Sequence, residues 1–320
     1  FEGERVYEGE IFKLEEHTDR LFHSANRLDI KIPYSKEEIN LACKKIISIQ
    51  NVQNGYVRPF AWRGSEMMGV SAQKTKINVA IATWEWGDYF DPKLKTEGIK
   101  LNISNWRRPA PNTIPWDSKA AGLYMICTLS KHEAERQGYS ESLMLDHEGN
   151  VAESTSANIF FKDEKGEFHT PIADSFLNGI TRQTVIEIAK SMNIVVHERK
   201  IKPEELGNFV GCFLTGTAAE ITPVSQIAKK QVQVSLSGDG ADELFCGYNR
   251  HLMADKVFNK MRLIPMSIRN SVHNTLKNIT PSQWDRFAAR VRFLLPRFAK
   301  LNNLGDKFYK GIDLISSDSM

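Results

Sequence analysis

Cysteine is scarce. The 320 residues hold four, Cys43, Cys127, Cys212 and Cys246, far apart and in no CxxC or metal-ligand spacing. That excludes a disulfide scaffold and a zinc ribbon, and the four read as reduced core thiols of a cytoplasmic protein. Long apolar runs are missing too, so no membrane span is expected, and no signal-peptide pattern opens the chain. Net charge is only +3, too little to imply a nucleic-acid partner. The positive excess gathers late, from Arg262 and Arg269 through Arg297 and Lys300, and reads as a solvated helix face. With 41% hydrophobic and 25% charged residues, the composition is that of an ordinary globular protein with room for two or three domains. The chain opens on Phe1, already inside a motif, so a missing natural beginning is expected.

Residues 1–7 and 9–12 read as short strands around a turn. Leu14, Leu21, Ala25 and Leu28 then share a helical face that carries His17, Arg20 and Arg27 along. Ser35-Lys36-Glu37-Glu38 is a capping box opening a second helix. Strands follow at 56–62 and 76–82, Pro59 placing the first at an edge or a bulge. A small α+β domain over 1–83 is expected, then a linker over 84–97 of mixed polarity, then a larger domain over 98–228.

In that larger domain, strand 99–103 feeds a proline-rich loop that delivers Lys119 to the first turn of a long helix. Asp117 or Ser118 caps that helix and Gly138 stops it. A lysine buried at a helix N-terminus is opposed by the macrodipole, so a neutral, nucleophilic amine is expected; a solvated surface lysine is the plain alternative. Strand pairs at 141–146 with 151–153 and at 159–162 with 168–170 come next. Residues 177–182 lead into a helix with Val185, Ile188, Ala189 and Met192 inward. Strands at 194–196 and 212–215 end at the small-residue turn 216–219. Few crossover helices argue for α+β, mixed layers rather than a doubly wound parallel sheet.

The segment Asn105-Trp106-Arg107-Arg108-Pro109 through Lys119-Ala120-Ala121-Gly122-Leu123-Tyr124 resembles the catalytic-lysine segment of branched-chain amino acid aminotransferases. These are fold-type-IV enzymes that use pyridoxal 5'-phosphate, and five motifs match in order from Phe1 to about Val224. The resemblance implies a two-domain fold-type-IV body and amino-group transfer between leucine, isoleucine or valine and 2-oxoglutarate. Lys119 matches the lysine that holds the cofactor and moves the substrate proton. Tyr124 matches the tyrosine at the cofactor phenolate, and Glu153, in Val151-Ala152-Glu153-Ser154-Thr155-Ser156-Ala157-Asn158, the acid at the pyridine nitrogen. Gly179, Ile180 and Thr181 at a helix start, Arg20 and Thr217 match the phosphate cradle. Tyr56 and Arg58, alternating along one strand, match residues that guide the substrate carboxylates, and Tyr89 the tyrosine closing the side-chain pocket. Thr217, Ala218 and Ala219 match the α-carboxylate turn, and Arg5 also falls in the substrate set. Taken singly, several of these have plainer readings: Tyr124 as a core tyrosine, Glu153 as a strand-end glutamate, Gly-x-Thr as an ordinary helix start. The resemblance further implies small amino acid and 2-oxo acid partners, a homodimer or larger homo-oligomer, and no metal.

Residues 231–320 resemble something else. Ser235-Leu236-Ser237-Gly238-Asp239-Gly240-Ala241-Asp242-Glu243 is similar to the synthetase domain of glutamine-hydrolysing asparagine synthetases, followed by a mainly helical stretch with Trp284, Phe287, Val291 and Leu294 at core spacing. A Ser-Gly-Gly-x-Asp-Ser pyrophosphate loop and a glutaminase cysteine are lacking, so this fragment is expected to bind neither ATP nor aspartate. Both resemblances cover truncated pieces, with a join near 226–230. Three other readings stay open: an inactive joined remnant, a D-amino acid aminotransferase or aminodeoxychorismate lyase, and an asparagine synthetase. Arg107-Arg108 before the proline loop, with Tyr56-x-Arg58, favours the branched-chain group.

Overall fold

The computed structural model describes residues 1–228; the helical fragment expected over 231–320, with Cys246, lies outside them. The first sheet has four antiparallel strands in the order β2-β1-β3-β4. These are β1 (Glu4–Tyr7), β2 (Glu10–Ile11), β3 (Gly55–Arg63) and β4 (Ile77–Glu85). Helices α1 (Leu14–Arg27) and α2 (Lys36–Ile49) pack on it, burying Leu14, Leu21, Ile39, Cys43 and Ile47 against Val6 and Val57. The capping box forms as expected: Glu38 N donates to Ser35 Oγ at 3.1 Å and Ser35 N to Glu38 Oε2 at 2.7 Å.

Pro59 sits in a strand that has neighbours on both sides, yet its missing N–H costs nothing there. β1 pairs only with Gly55, Tyr56 and Val57, so β3 becomes a local edge beyond them. The Pro59 carbonyl is still used, accepting from Glu2 N at 2.8 Å. β4 runs on through Trp84 and Glu85, which pair with Tyr56 and Gly55.

Glu4 is the odd residue of this core. It is fully buried, and neither carboxylate oxygen has a hydrogen-bond partner among the described residues. Burial, with Glu2 adding, pushes its pKa up to about 9 from an ordinary 4.5. The folded state therefore keeps a proton that the unfolded chain has released, and stability should fall as pH rises from about 4.5 to about 9. At pH 7 the cost is about 3 kcal/mol. Glu4→Met should remove it, with a gain in urea denaturation that is smallest at pH 4.5, where only the unpartnered neutral carboxyl is lost, and grows toward pH 8. A gain independent of pH would contradict this account.

The second sheet is mixed and eight-stranded, in the order β10-β9-β8-β11-β12-β5-β6-β7. Its strands are β5 (Ile99–Arg107), β6 (Glu141–Leu145), β7 (Val151–Ser154), β8 (Asn158–Lys162), β9 (Phe168–Thr170), β10 (Val196–Glu198), β11 (Gly211–Gly216) and β12 (Glu220–Ile227). β12–β5, β5–β6 and β10–β9 are parallel and the other pairs antiparallel, which agrees with mixed layers. Ile99, Leu101, Leu143, Ile159, Phe161 and Leu214 fill the core. A helical turn, α3 (Leu94–Glu97), precedes β5. Among the described residues no helix is long and apolar enough to cross a membrane. Cys43, Cys127 and Cys212 are free and buried.

Two helix expectations need correction. Lys119 is not in a first turn: Ala120 is extended, Ala121–Tyr124 forms a 3₁₀ turn, and α4 spans Met125–Arg136. The expected caps are engaged elsewhere. Ser118 Oγ donates to Ser24 O at 3.1 Å, Lys119 N donates to Ser24 Oγ at 2.9 Å, and Asp117 takes Arg27 at 2.8 Å and His23 at 2.9 Å. These bonds to α1 hold the lysine loop extended until Ala121. Gly138, at φ +79°, does follow the helix end. In α5 (Ile180–Ser191), Val185 and Ala189 point inward, but Met192 is 46% exposed. Ile186 and Arg182 are inside instead. Arg182 is fully buried and donates to Pro171 O, Asn178 Oδ1 and Glu198 Oε2 at 2.8–2.9 Å, which repays its desolvation.

Candidate active site

A cavity of about 330 Å³ opens where the lysine loop, the β7–β8 turn, the start of α5 and the turn after β11 meet β3. Lys119, Tyr124 and Glu153 all line it, as do Gly179, Ile180 and Thr181, Thr217 and Ala218, and Arg20, Tyr56, Arg58 and Tyr89. Two of the expected residues do not. Arg5 is buried in β1 with its guanidinium 5.6 Å from the Tyr7 ring centre, and Ala219 is part of the core beneath the turn.

The 3₁₀ turn returns Tyr124 to Lys119, and Lys119 Nζ donates to Tyr124 Oη at 2.7 Å. Burial pushes the Lys119 pKa down, but the Tyr124 oxygen and the Glu2 carboxylate more than offset it and hold the ammonium above the ordinary lysine range. The neutral amine expected at a helix end is thus replaced by a tyrosine-paired ammonium, because the lysine precedes the helix rather than capping it.

Glu153, at the end of β7, faces the same cavity and is 9% exposed. Arg108 Nε lies 3.4 Å from Oε1, and Asn158 Nδ2 donates to Oε2 at 3.2 Å. Burial raises its pKa to about 7, with Arg108 and Lys119 opposing. Neither Arg108 nor Asn158 is evident as a site residue from the sequence; Arg108, buried just past the end of β5 and after a register shift between Ile103 and Arg107, lines the cavity. Asn158 does double duty, its Oδ1 accepting from Gly179 N at 3.0 Å.

Gly179 is required for that approach. Its backbone is ordinary, but a Cβ would lie 2.3 Å from Asn158 Oδ1. Gly179→Ala should push Asn158 off both the helix start and Glu153, and two lost hydrogen bonds at about 1 kcal/mol each amount to roughly 30-fold weaker cofactor binding. Absorbance titration of the folded variant checks this.

On the β3 side, Tyr56 Oη fills the space beside Gly3, and Trp86 meets the Tyr56 ring edge-on at 4.6 Å. The Arg58 guanidinium lies 5.6 Å from the Tyr56 ring and 5.8 Å from Trp84, with Nε buried and unpartnered among the described residues. Arg20 donates through Nε and Nη2 to Glu2 at 2.8 Å each, and His17 Nδ1 completes the cluster at 2.7 Å. Burial works against the Glu2 carboxylate, yet Arg20 and then His17 hold its pKa well below the usual range. Nothing in the spacing of Glu2 and His17 marks them as supports of the site. Away from the cavity, Glu167, His169 and His197 cluster between β9 and β10, with His197 Nε2 2.6 Å from Glu167 Oε2.

These groups fit pyridoxal phosphate: an amine with a phenol beside it, a buried carboxylate for the ring nitrogen, and a helix start whose first N–H groups, at Ile180 and Thr181, lie outside the intrahelical ladder and suit a phosphate. The Thr215 hydroxyl, buried at the cavity wall without a partner among the described residues, adds one more donor.

Comparison with known proteins agrees with the geometry. The profile of the family "Amino-transferase class IV" matches residues 1–227, and the chain belongs to that family. A probable branched-chain-amino-acid aminotransferase of Rickettsia felis is 45% identical over 227 residues, covering 71% of this chain and 77% of the relative. The branched-chain aminotransferase of the thermophilic archaeon Thermoproteus uzoniensis, solved with norvaline, superposes with a TM-score of 0.71 at 34% identity, covering 78% of this chain and 83% of that one. The branched-chain amino acid aminotransferase of Escherichia coli gives 0.70 at 37% identity, covering 72% and 78%. Branched-chain members of the family use pyridoxal phosphate. A second profile, "Asparagine synthase", matches residues 214–317.

Proposed function

We propose that the chain transfers amino groups between branched-chain L-amino acids (leucine, isoleucine and valine) and 2-oxoglutarate with pyridoxal phosphate. The observation that carries this reading is the shared cavity of Lys119, Glu153 and the α5 start, bordered by Arg58. When bound, the cofactor supplies the electron sink for charge left at the substrate Cα. Lys119 would hold the cofactor and, as a free amine, would carry the proton from the substrate Cα. Tyr124 holds Lys119 and the cofactor phenolate in one place. Glu153, oriented by Asn158 and Arg108, keeps a proton at the ring nitrogen. Gly179, Ile180, Thr181 and Thr217, with Arg20, hold the phosphate.

Tyr56, Arg58 and Tyr89 bind substrate, with Thr217 and Ala218 at the α-carboxylate. Arg58 takes the distal carboxylate of glutamate, while the Phe1 and Tyr56 rings against it, with Trp86 beside Tyr56, accept an aliphatic side chain without leaving a bare charge. Arg5 and Ala219 act from behind, through β1 and the turn. Under this reading 1–83 and 98–228 are two domains, 84–97 crosses between them, and the chain works as a homodimer or larger homo-oligomer in the cytoplasm. A panel of leucine, D-alanine and 4-amino-4-deoxychorismate, each with 2-oxoglutarate where an acceptor is needed, tests the substrate. Turnover with leucine is expected; turnover with either of the others and none with leucine would overturn it.

A further inference from the structure

Lys131, on α4, also lines the cavity, and no role described above uses it. Its ammonium donates to Glu141 Oε1 at 2.8 Å and to the Ser140 carbonyl. Glu141 is fully buried in β6 and also accepts from Ser156 at 3.0 Å and from Thr155, both in the turn just beyond Glu153. An ion pair whose carboxylate is fully buried is poor evidence of a stability device, because desolvation cancels much of its attraction. Its other neighbours suggest a different use. The Lys131 ammonium lies 5.5 Å from the Phe90 ring centre and 5.9 Å from that of Tyr89, within cation–π range. Those two rings meet edge-on at 4.7 Å. Tyr89 in turn touches Trp86 at 6.0 Å, and Trp86 touches Tyr56. A continuous run of contacts thus leads from the Glu141 carboxylate to the wall that holds Arg58.

We propose that Lys131 and Glu141 form a positioning pair: Glu141 fixes the ammonium, and the ammonium seats Tyr89 and Phe90, so that the 86–90 segment closes the cavity on the substrate's side chain. The pair touches neither cofactor nor reacting atoms. The inference rests on the aminotransferase reading for its kinetic consequence, but not for its structural one.

Lys131→Met keeps the aliphatic stem and removes the charge. In 5-fluorotryptophan-labelled protein free of cofactor, the Trp86 resonance, assigned with Trp86→Phe, should shift or broaden. In the loaded enzyme KM for leucine should rise about tenfold while kcat stays within about threefold. Lys131→Arg should restore most of the affinity, since a guanidinium also sits on aromatic faces. In a Tyr89→Leu/Phe90→Leu background, Lys131→Met should change KM no further. An unmoved Trp86 resonance, a KM rise that persists in that background, or a kcat loss with unchanged KM would each overturn the proposal. Should Lys131→Met not fold with Glu141 left uncompensated, Lys131→Met/Glu141→Leu carries no buried charge and is read by the same criteria. A moved resonance in a protein inactive toward every amino acid would sink the proposed reaction and leave the seating intact.

Discussion

Lys119→Ala should lower kcat/KM for leucine by at least about 10⁴-fold, since the substitution removes both the group that holds the cofactor and the base that moves the proton. The protein should still fold. Among the described residues Lys119 Nζ donates only to Tyr124, while the loop itself is pinned by Ser118 and by the Lys119 backbone N–H, both to Ser24. Cofactor should still bind noncovalently through the phosphate cradle and Glu153, but without the absorbance of the lysine-linked form. A small primary amine such as methylamine should return part of the activity by entering the vacated space. Wild type adds a pH signature. Its ammonium is held above the ordinary lysine range, and only the neutral amine attacks an aldehyde, so the rate of cofactor loading should climb about tenfold per pH unit between pH 6 and 9. A loss below about 100-fold in Lys119→Ala would contradict the assignment.

Glu153→Gln should cost about 10³-fold in kcat, the size expected when one preorganised electrostatic partner of developing charge is lost. The amide keeps the volume, but its one carbonyl oxygen can accept from Asn158 or from Arg108 and not from both, which face separate oxygens of the carboxylate, so a small fall in melting temperature is expected. What it cannot do is hold a positive ring nitrogen, and charge at Cα then has a weaker sink. The pH dependence separates this from a packing defect. In the cofactor-free protein the Glu153 pKa is about 7, raised by burial against Arg108 and Lys119. Below that pH the carboxyl must lose its proton to accept a protonated ring, so wild-type affinity carries an extra fall of up to tenfold per pH unit from 7 downward. In Glu153→Gln this extra slope should vanish. Equal slopes in the two proteins would place the ring nitrogen elsewhere.

How far these residues were readable depends on how local their physics is. The capping box at Ser35 and the turns at Gly149 and Gly166, both at positive φ, are settled within a few residues and are plain in the sequence. So is the return of Tyr124 to Lys119 five residues earlier, although a 3₁₀ turn rather than an α-helix accomplishes it. The cap assignment to Asp117 or Ser118 fails because a local rule yields to bonds with α1, about ninety residues away in sequence. Arg20 lies at the cavity wall, but its bidentate partner Glu2 carries no signal in the sequence, since their approach depends on how α1 lies across β1. A helical wheel puts Arg182 on the face of Val185, Ile186 and Ala189 although its charge argues for the surface; the acceptors that let it be buried come from Thr170, Pro171, Asn178 and Glu198, which no helical pattern shows. Lys131 and Glu141 sit ten residues apart on different elements, so no spacing rule links them.

The most direct measurement is covalent. Purified protein is saturated with pyridoxal phosphate, reduced with borohydride, digested and mapped. The account predicts one phosphopyridoxyl group per chain, on the peptide bearing Lys119, and none in Lys119→Ala. A label spread over surface lysines, or concentrated on Lys131 or any other single lysine, would contradict it.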